Sequence, residues 1–304
     1  MGVTDPREGY LSLISLEKSH INLSPPIVFL FGGAIEHPPK SVRGILYNHI
    51  LVKDSSLSNY LVIPEDFKDW LHDSVYPDLL SFESDLAQTS SLIIIALESP
   101  GSIAELGSFS VNDALKDKII IIISEYHHTQ ASFITLGPLR QLPEVNVYSY
   151  PYDHTSICTS LDVYLDDIVE NINSNLKSIR KTEQFDKENN GHVALLIYDL
   201  LLIFKALKLG EILEYLKLLS CKRSQTVTKR LLFLLSKLAL VEKKRIGNVD
   251  YFIPLKTEQR VDFSSKDKSK LFDRNSAIIG AAQYYTSEPK EKMRKRIIKE
   301  LEAS

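Results

Sequence analysis

The sequence predicts an α/β fold, a Rossmann-like parallel sheet with helices on both faces, followed by a helical module that closes on a β-hairpin. Three observations carry that prediction. Apolar runs rich in β-branched residues recur at 27–31, 60–63, 92–97 and 119–123, separated by helical patterns around 65–87 and 102–115, the alternation of parallel strands joined by crossover helices. The polar stretch from Lys181 to Gly191 then interrupts the pattern. Beyond it, helical periodicity at 191–208, 210–219 and 224–237 gives way to two short strand runs.

Each element has a local cause. Ile27 to Phe31 is an apolar strand that stops at Gly32-Gly33, a turn that needs no side-chain room. Leu92 to Ala96 is a second buried strand, and the chain after it turns at Pro100-Gly101. Ser102 is positioned to cap the next helix, whose outward amides attract phosphate or carboxylate groups. Glu105 follows Ser102 by three residues, so it has two readings: the second half of a capping box, or a carboxylate presented to a bound nucleotide. The isoleucines Ile119 to Ile123 form a central strand. Val145 to Tyr148 closes the sheet, and 157–180 is a long amphipathic helix leading to the linker.

Two strand-to-glycine breaks line one crevice at the carboxyl edge of a parallel sheet. Gly32-Gly33 lacks the G-x-G-x-x-G spacing of a dinucleotide fingerprint, which argues against hydride transfer. The expected organisation is a first domain over 1–180, a linker over 181–190, a second domain over 191–256 and a charged, partly helical tail over 257–304. That tail carries Lys290, Lys292, Arg294, Lys295 and Arg296, the composition of a solvated helix or mobile arm.

With 304 residues, 44% hydrophobic and 25% charged, the chain is long enough for two compact domains. It has no apolar run of membrane-spanning length, and Met1 to Pro25 carries Asp5, Glu8, Glu17 and His20 rather than a basic-then-apolar leader. A cytoplasmic protein without a membrane partner is expected. Cys158 and Cys221 read as ordinary thiols, and the adjacent pair His127-His128 does not make a zinc site; no metal is expected.

Three helices and a hairpin, with Gly247-Asn248 at its turn, read as a winged helix-turn-helix. Residues 205–247 hold eleven Lys and Arg against three Glu, a charge of +8 inside a chain whose total is −3. A basic module joined to an acidic one fits a polyanionic partner. Ser224 begins the helix that would enter a major groove, exposing Gln225, Thr228 and Lys229. Lys222, Arg223 and Arg230 would reach phosphates, and Lys243, Lys244 and Arg245 sit on the wing. The alternative for this module is protein docking.

At this point the residues carry a resemblance. The region from about 27 to 150 resembles the nucleoside deoxyribosyltransferase-like branch of nucleotide-binding α/β proteins through Gly101-Ser102-Ile103-Ala104-Glu105-Leu106-Gly107, a small-residue turn leading into a helix with Glu-x-Gly. With the second module behind it, the whole chain is similar to effector proteins of bacterial retrons. That resemblance implies that Glu105 attacks or stabilises the anomeric carbon of a ribosyl group. It also implies that Gly32, Gly33, Ser99, Gly101 and Ser102 line the ribose and phosphate pocket. Phe31, Glu36 and Arg43 would then contact the base, a hydroxyl and a phosphate.

The implied function is a toxic N-glycosidase that hydrolyses NAD to nicotinamide and ADP-ribose, with NAD as substrate and no cofactor. The implied partners are the retron reverse transcriptase and its RNA-linked single-copy DNA, with self-association through the 124–138 segment. Deoxyribosyltransferases that act on free nucleosides place an aspartate just after the strand, where this chain has Glu98 and Ser99; Asp85 is either its substitute or a helix-surface residue. The alternatives are a deoxyribosyltransferase or hydrolase of nucleosides and nucleotides, a nucleotide-sensing DNA-binding regulator, and a phosphoribohydrolase of cytokinin-type nucleotides. The last uses a P-G-G-x-G-T turn that Ser99-Pro100-Gly101-Ser102 shares only in part.

Overall fold

The computed structural model describes residues 4–67, 75–153 and 155–303. The chain divides into two compact units, Pro25–Arg180 and a second that joins Met1–Ser24 to Lys181–Ser304. In chain order the strands are β1 (Ile14–Asn22), β2 (Val28–Phe31), β3 (Leu61–Val62), β4 (Leu92–Ala96), β5 (Ile119–Ser124), β6 (Val147–Tyr150), β7 (Thr182–Gln184), β8 (Val241–Ile246), β9 (Val249–Pro254) and β10 (Val261–Ser265).

The first unit is an α/β layer structure around a five-stranded parallel sheet in the order β3-β2-β4-β5-β6. Every residue of β2, β4 and β5 is buried, as their unbroken apolar runs require. Burial of each isoleucine in β5 contributes roughly 1.5–3 kcal/mol. On one face Val28, Leu30, Ile94, Ile120 and Ile122 join Val42, Leu46 and Ile50 of the Val42–Lys53 helix, and Leu165, Ile168 and Ile172 of the Leu165–Ser178 helix. On the other face Phe31 meets Phe109 edge-on, with ring centroids 5.3 Å apart.

Several boundaries differ from expectation. β6 starts at Val147 rather than Val145, because a 3-10 turn over Glu144–Asn146 follows Pro143. The 157–180 helix is interrupted into Ile157–Ser160, a 3-10 turn at Asp162–Tyr164, and Leu165–Ser178. The 65–87 helix is a 3-10 turn at Pro64–Phe67 followed by Leu79–Gln88, which Asp78 caps by accepting from the Ser81 amide; residues 68–74 of that expectation lie outside the described residues.

The second unit has its own antiparallel sheet, β10-β1-β7. Residues 4–24 thus belong here and not with the first sheet: Leu11, Ile14, Leu16 and Ile21 sit in one core with the Asn190–Phe204 helix. The expected linker contains β7, whose polar residues suit an edge strand exposed on one side. The helices Asn190–Phe204, Leu209–Leu218 and Gln225–Lys237 are followed by the antiparallel hairpin of β8 and β9, turning at Gly247-Asn248 with Ile246 opposite Val249.

The tail also differs from expectation. Ala277, Ala281 and Tyr285 of the Arg274–Ser287 helix are core residues, and Arg294 of the Lys292–Ala303 helix is fully buried because Glu211 and Glu291 ion-pair with it. Among the described residues, no helix is long and apolar enough to cross a membrane.

Candidate active-site crevice and charged hairpin

In the parallel sheet, β2 connects outward to β3 on one side while β4 leads to β5 and β6 on the other. The order therefore reverses between β2 and β4, and in such sheets the crevice lies beyond the carboxyl ends of that strand pair. Both glycine-containing turns singled out in the sequence meet there: Gly32-Gly33 after β2, and Leu97 to Gly101 after β4.

Glu98 ties the two turns together. Its Oε1 accepts from the amides of Gly33 (2.9 Å) and Arg43 (3.0 Å), and its Oε2 accepts from Val42 (2.6 Å), the last two being the opening residues of the Val42–Lys53 helix. The approach is close enough to demand glycine. A Cβ on Gly32 would stand 2.8 Å from Arg43 Cβ and 3.0 Å from Ala96 Cβ, at a φ of +154° that L side chains disfavour. A Cβ on Gly33 would meet Ser41 Cβ at 2.8 Å and Glu98 Oε1 at 3.0 Å.

The helix after β4 starts earlier than expected. It spans Pro100–Phe109 with proline at its first position and Ser99 as N-cap. Ser99 Oγ accepts from the Ser102 amide (3.1 Å), while Ser102 Oγ accepts from the Ser99 amide (3.0 Å) and from the Glu98 amide (3.1 Å). The capping box is thus Ser99 with Ser102, and Ser102 is wholly buried. Glu105 is the sixth residue of the helix, beyond the first turn, so the capping-box reading of its carboxylate is removed. It is half-buried beside Ser102, Leu106 and Phe109, with Oε2 shielded from solvent.

Several expected ligand contacts are placed elsewhere. Phe31 is a core ring, 1% exposed against Phe109, because β2 is covered on both faces. Arg43 is 2% exposed below the Gly32 turn, and its Nη1 donates to Leu30 O at 3.4 Å, so it is not a surface grip for phosphate. Glu36 is exposed and pairs with Lys40 at 3.5 Å. Asp85 is buried on the Leu79–Gln88 helix, which overturns its reading as a helix-surface residue. Ser99 and Gly101 remain at the crevice, and Gly101 has open space around it, the nearest atom to a Cβ there being Ser99 Oγ at 3.8 Å.

Beyond β5 and β6, Glu125, Tyr126, Thr129, Pro151, Tyr152 and Asp153 line a groove of about 430 Å³. Burial, with the Glu98 charge as the second influence, raises the Tyr152 phenol well above its ordinary pKa, while a hydrogen bond with Ser124 opposes the shift. Sequence reasoning missed Tyr152 and the use made of Glu98. The available signal was a carboxylate directly after a buried strand, in a chain whose next-door strand ends in two glycines.

In the second unit, Ser224 caps the Gln225–Lys237 helix by accepting from Val227 N (3.2 Å), and Gln225 and Lys229 are exposed while Arg230 is half-buried. Thr228 is not on that surface. It is 0% exposed and its hydroxyl donates back to Ser224 O at 3.0 Å, because it lies on the face that also carries Leu231, Leu232 and Leu235. Arg223 bonds to Lys187 O, to Asn190 Oδ1 (3.3 Å) and to Lys222 O (3.1 Å), which commits most of its donors to the chain itself. On the hairpin, Lys243 and Arg245 flank Asp250 at 3.1 and 3.7 Å, while Lys244 is half-buried and Lys222 exposed.

The first unit is therefore a parallel α/β sheet with a carboxylate-bearing helix at its switch point, and the second ends its helical run in a basic hairpin. The chain belongs to the STM3845 retron effector protein family, whose model matches residues 39–243. Over 120 residues it is 39% identical to a retron Ec86 protein of Escherichia coli with the provisional name ribosyltransferase/DNA-binding protein, and over 156 residues 26% identical to the retron Ec73 protein of the same name and species. Those matches cover 39% and 47% of this chain, and 38% and 49% of the relatives' lengths.

Proposed function

We propose that this retron effector is an N-glycosidase whose first unit, a nucleoside deoxyribosyltransferase-like domain, hydrolyses NAD with Glu105 as the catalytic carboxylate. The observation that carries the reading is the place of Glu105: past the capping box, half-buried, on the helix that leaves the switch point of the sheet. Cleaving an N-glycosidic bond builds positive charge on the ribose ring, and a fixed carboxylate beside it lowers that barrier or traps the sugar covalently. The nicotinamide leaves with the bonding electron pair and becomes neutral, and water then supplies the hydroxyl at the anomeric carbon and releases a proton. A cationic leaving group needs little acid assistance. The commitment of Glu98 to backbone amides favours NAD over a neutral nucleoside, since the carboxylate that would orient such a base is already engaged.

The second unit, read as a winged helix, would engage the retron's RNA-linked DNA and hold the enzyme inactive together with the reverse transcriptase. Lys222, Gln225, Lys229 and the hairpin lysines supply the phosphate contacts. Self-association is proposed through the segment bearing Tyr126, Phe133 and Leu136, which are 65%, 85% and 53% exposed. The test is nicotinamide release from NAD by the purified full chain, alone and after dissociation from its retron partners. Glu105→Gln should slow release by roughly a hundredfold or more. Equal rates in the two proteins, or no release in any state, would overturn the reading.

A further inference from the structure

Glu98 occupies the place of a bound anion. Its two oxygens take the amides of Gly33, Val42 and Arg43 at 2.6–3.0 Å, with the positive end of a twelve-residue helix behind them. Converging backbone amides at a helix start are a donor set that phosphates use. Here the anion comes from the neighbouring strand end and is covalently part of the chain. The fit leaves no room for a second one, because even a Cβ on Gly33 would come within 3.0 Å of Glu98 Oε1. A ligand phosphate would have to displace a carboxylate and then stand beside its charge.

We infer that Glu98 is a specificity-determining residue, an internal anion that closes the Gly33–Val42–Arg43 cradle to substrate phosphate. The substrate then presents an uncharged part of its ribosyl unit to the β2 side of the crevice, because the amides there are already filled by Glu98. The statement about substrate rests on the N-glycosidase reading, whereas the exclusion of anions from the cradle does not.

The experiment uses inorganic phosphate as probe and the amide resonances of Gly33, Val42 and Arg43 in the full-length protein as readout. In the unaltered protein these resonances should not move with phosphate; in Glu98→Ala they should shift saturably, with sulfate competing. Shifts in the unaltered protein, or none in a folded Glu98→Ala, would overturn the inference. If Glu98→Ala does not fold, crystals of the unaltered protein soaked in phosphate decide: Glu98 retained on the three amides supports it, and phosphate in its place overturns it. Because the probe needs no turnover, the same gain in Glu98→Ala/Glu105→Gln keeps this test separate from the activity. Loss of the N-glycosidase reading with phosphate exclusion intact would strike that reading alone.

Discussion

The first unit holds the Glu98 carboxylate on three backbone amides, and the second holds the Arg7 and Arg294 guanidinium groups on carboxylates of the same unit. Both arrangements withdraw charge from water, but their consequences differ. Backbone amides are neutral, so if the half-buried Glu98 moved away it would strand no opposite charge, and another group could take its place. Arg294 is 0% exposed and Arg7 is 4% exposed; both share Glu211 Oε1, at 2.6 and 2.8 Å, and both stand over the ring of Tyr285. Removing Arg294 leaves three carboxylates, Asp5, Glu211 and Glu291, around the single cation of Arg7, and an excess of buried charge costs far more than a pair's net contribution. The first arrangement is suited to a site and the second to a fastening between the N-terminal residues, the Leu209–Leu218 helix and the last helix.

The sharpest way to break this comparison is Arg294→Met, which keeps the side-chain stem and deletes the guanidinium. It should lower the stability of the full chain by about 3 kcal/mol or more in denaturant unfolding. Glu98→Gln, which weakens charge-assisted bonds without stranding a charge, should cost about 1–2 kcal/mol. A larger loss for Glu98→Gln would reverse the assignment of fastening and site. Acid gives a smaller version of the same test. Burial alone would raise the Glu211 carboxyl, but Arg294 and Arg7 outweigh it and hold it below its ordinary value of 4.5. A depressed carboxyl contributes stability that is present above its unfolded value and lost as pH falls through its folded one. Unfolding free energy should therefore fall as the pH drops below about 4.5, and the fall should be shallower in Arg294→Met.

The same contrast explains what the sequence allowed to be read. β2, β4 and β5 were legible because a strand buried on both faces is a continuous apolar run, and the switch-point turns were legible because Gly32, Gly33 and Pro100 punctuate it. β1 was not, because its ladder with β10 shifts register between Ser15 and His20, which breaks the period-two alternation that marks a half-buried strand. Arg294 was not legible either, since a run of Lys and Arg reads as a solvated face unless the carboxylates it meets, 83 residues away in the case of Glu211, are known. In the site, Glu105 stood out by local spacing. The grip of Glu98 on residues 33, 42 and 43 depends on two strand ends meeting, and no local pattern encodes that.

The smallest expected effect on stability falls on the hairpin, where the paired cations are exposed. Lys243 and Arg245 are 57% and 67% exposed around Asp250, and pairs of this kind contribute about 0–1 kcal/mol. Asp250→Asn should therefore leave unfolding nearly unchanged. It would, however, release two cations from an intramolecular carboxylate on the strands proposed to meet a nucleic-acid backbone. Affinity for a short DNA duplex should rise at low salt, and the slope of log K against log salt should steepen by roughly one unit for each added phosphate contact. An unchanged slope would remove the hairpin from the nucleic-acid interface and leave it as a protein-docking surface. A steeper slope with unchanged stability would show that exposed charge in the second unit serves partners, as its buried charge serves the fold.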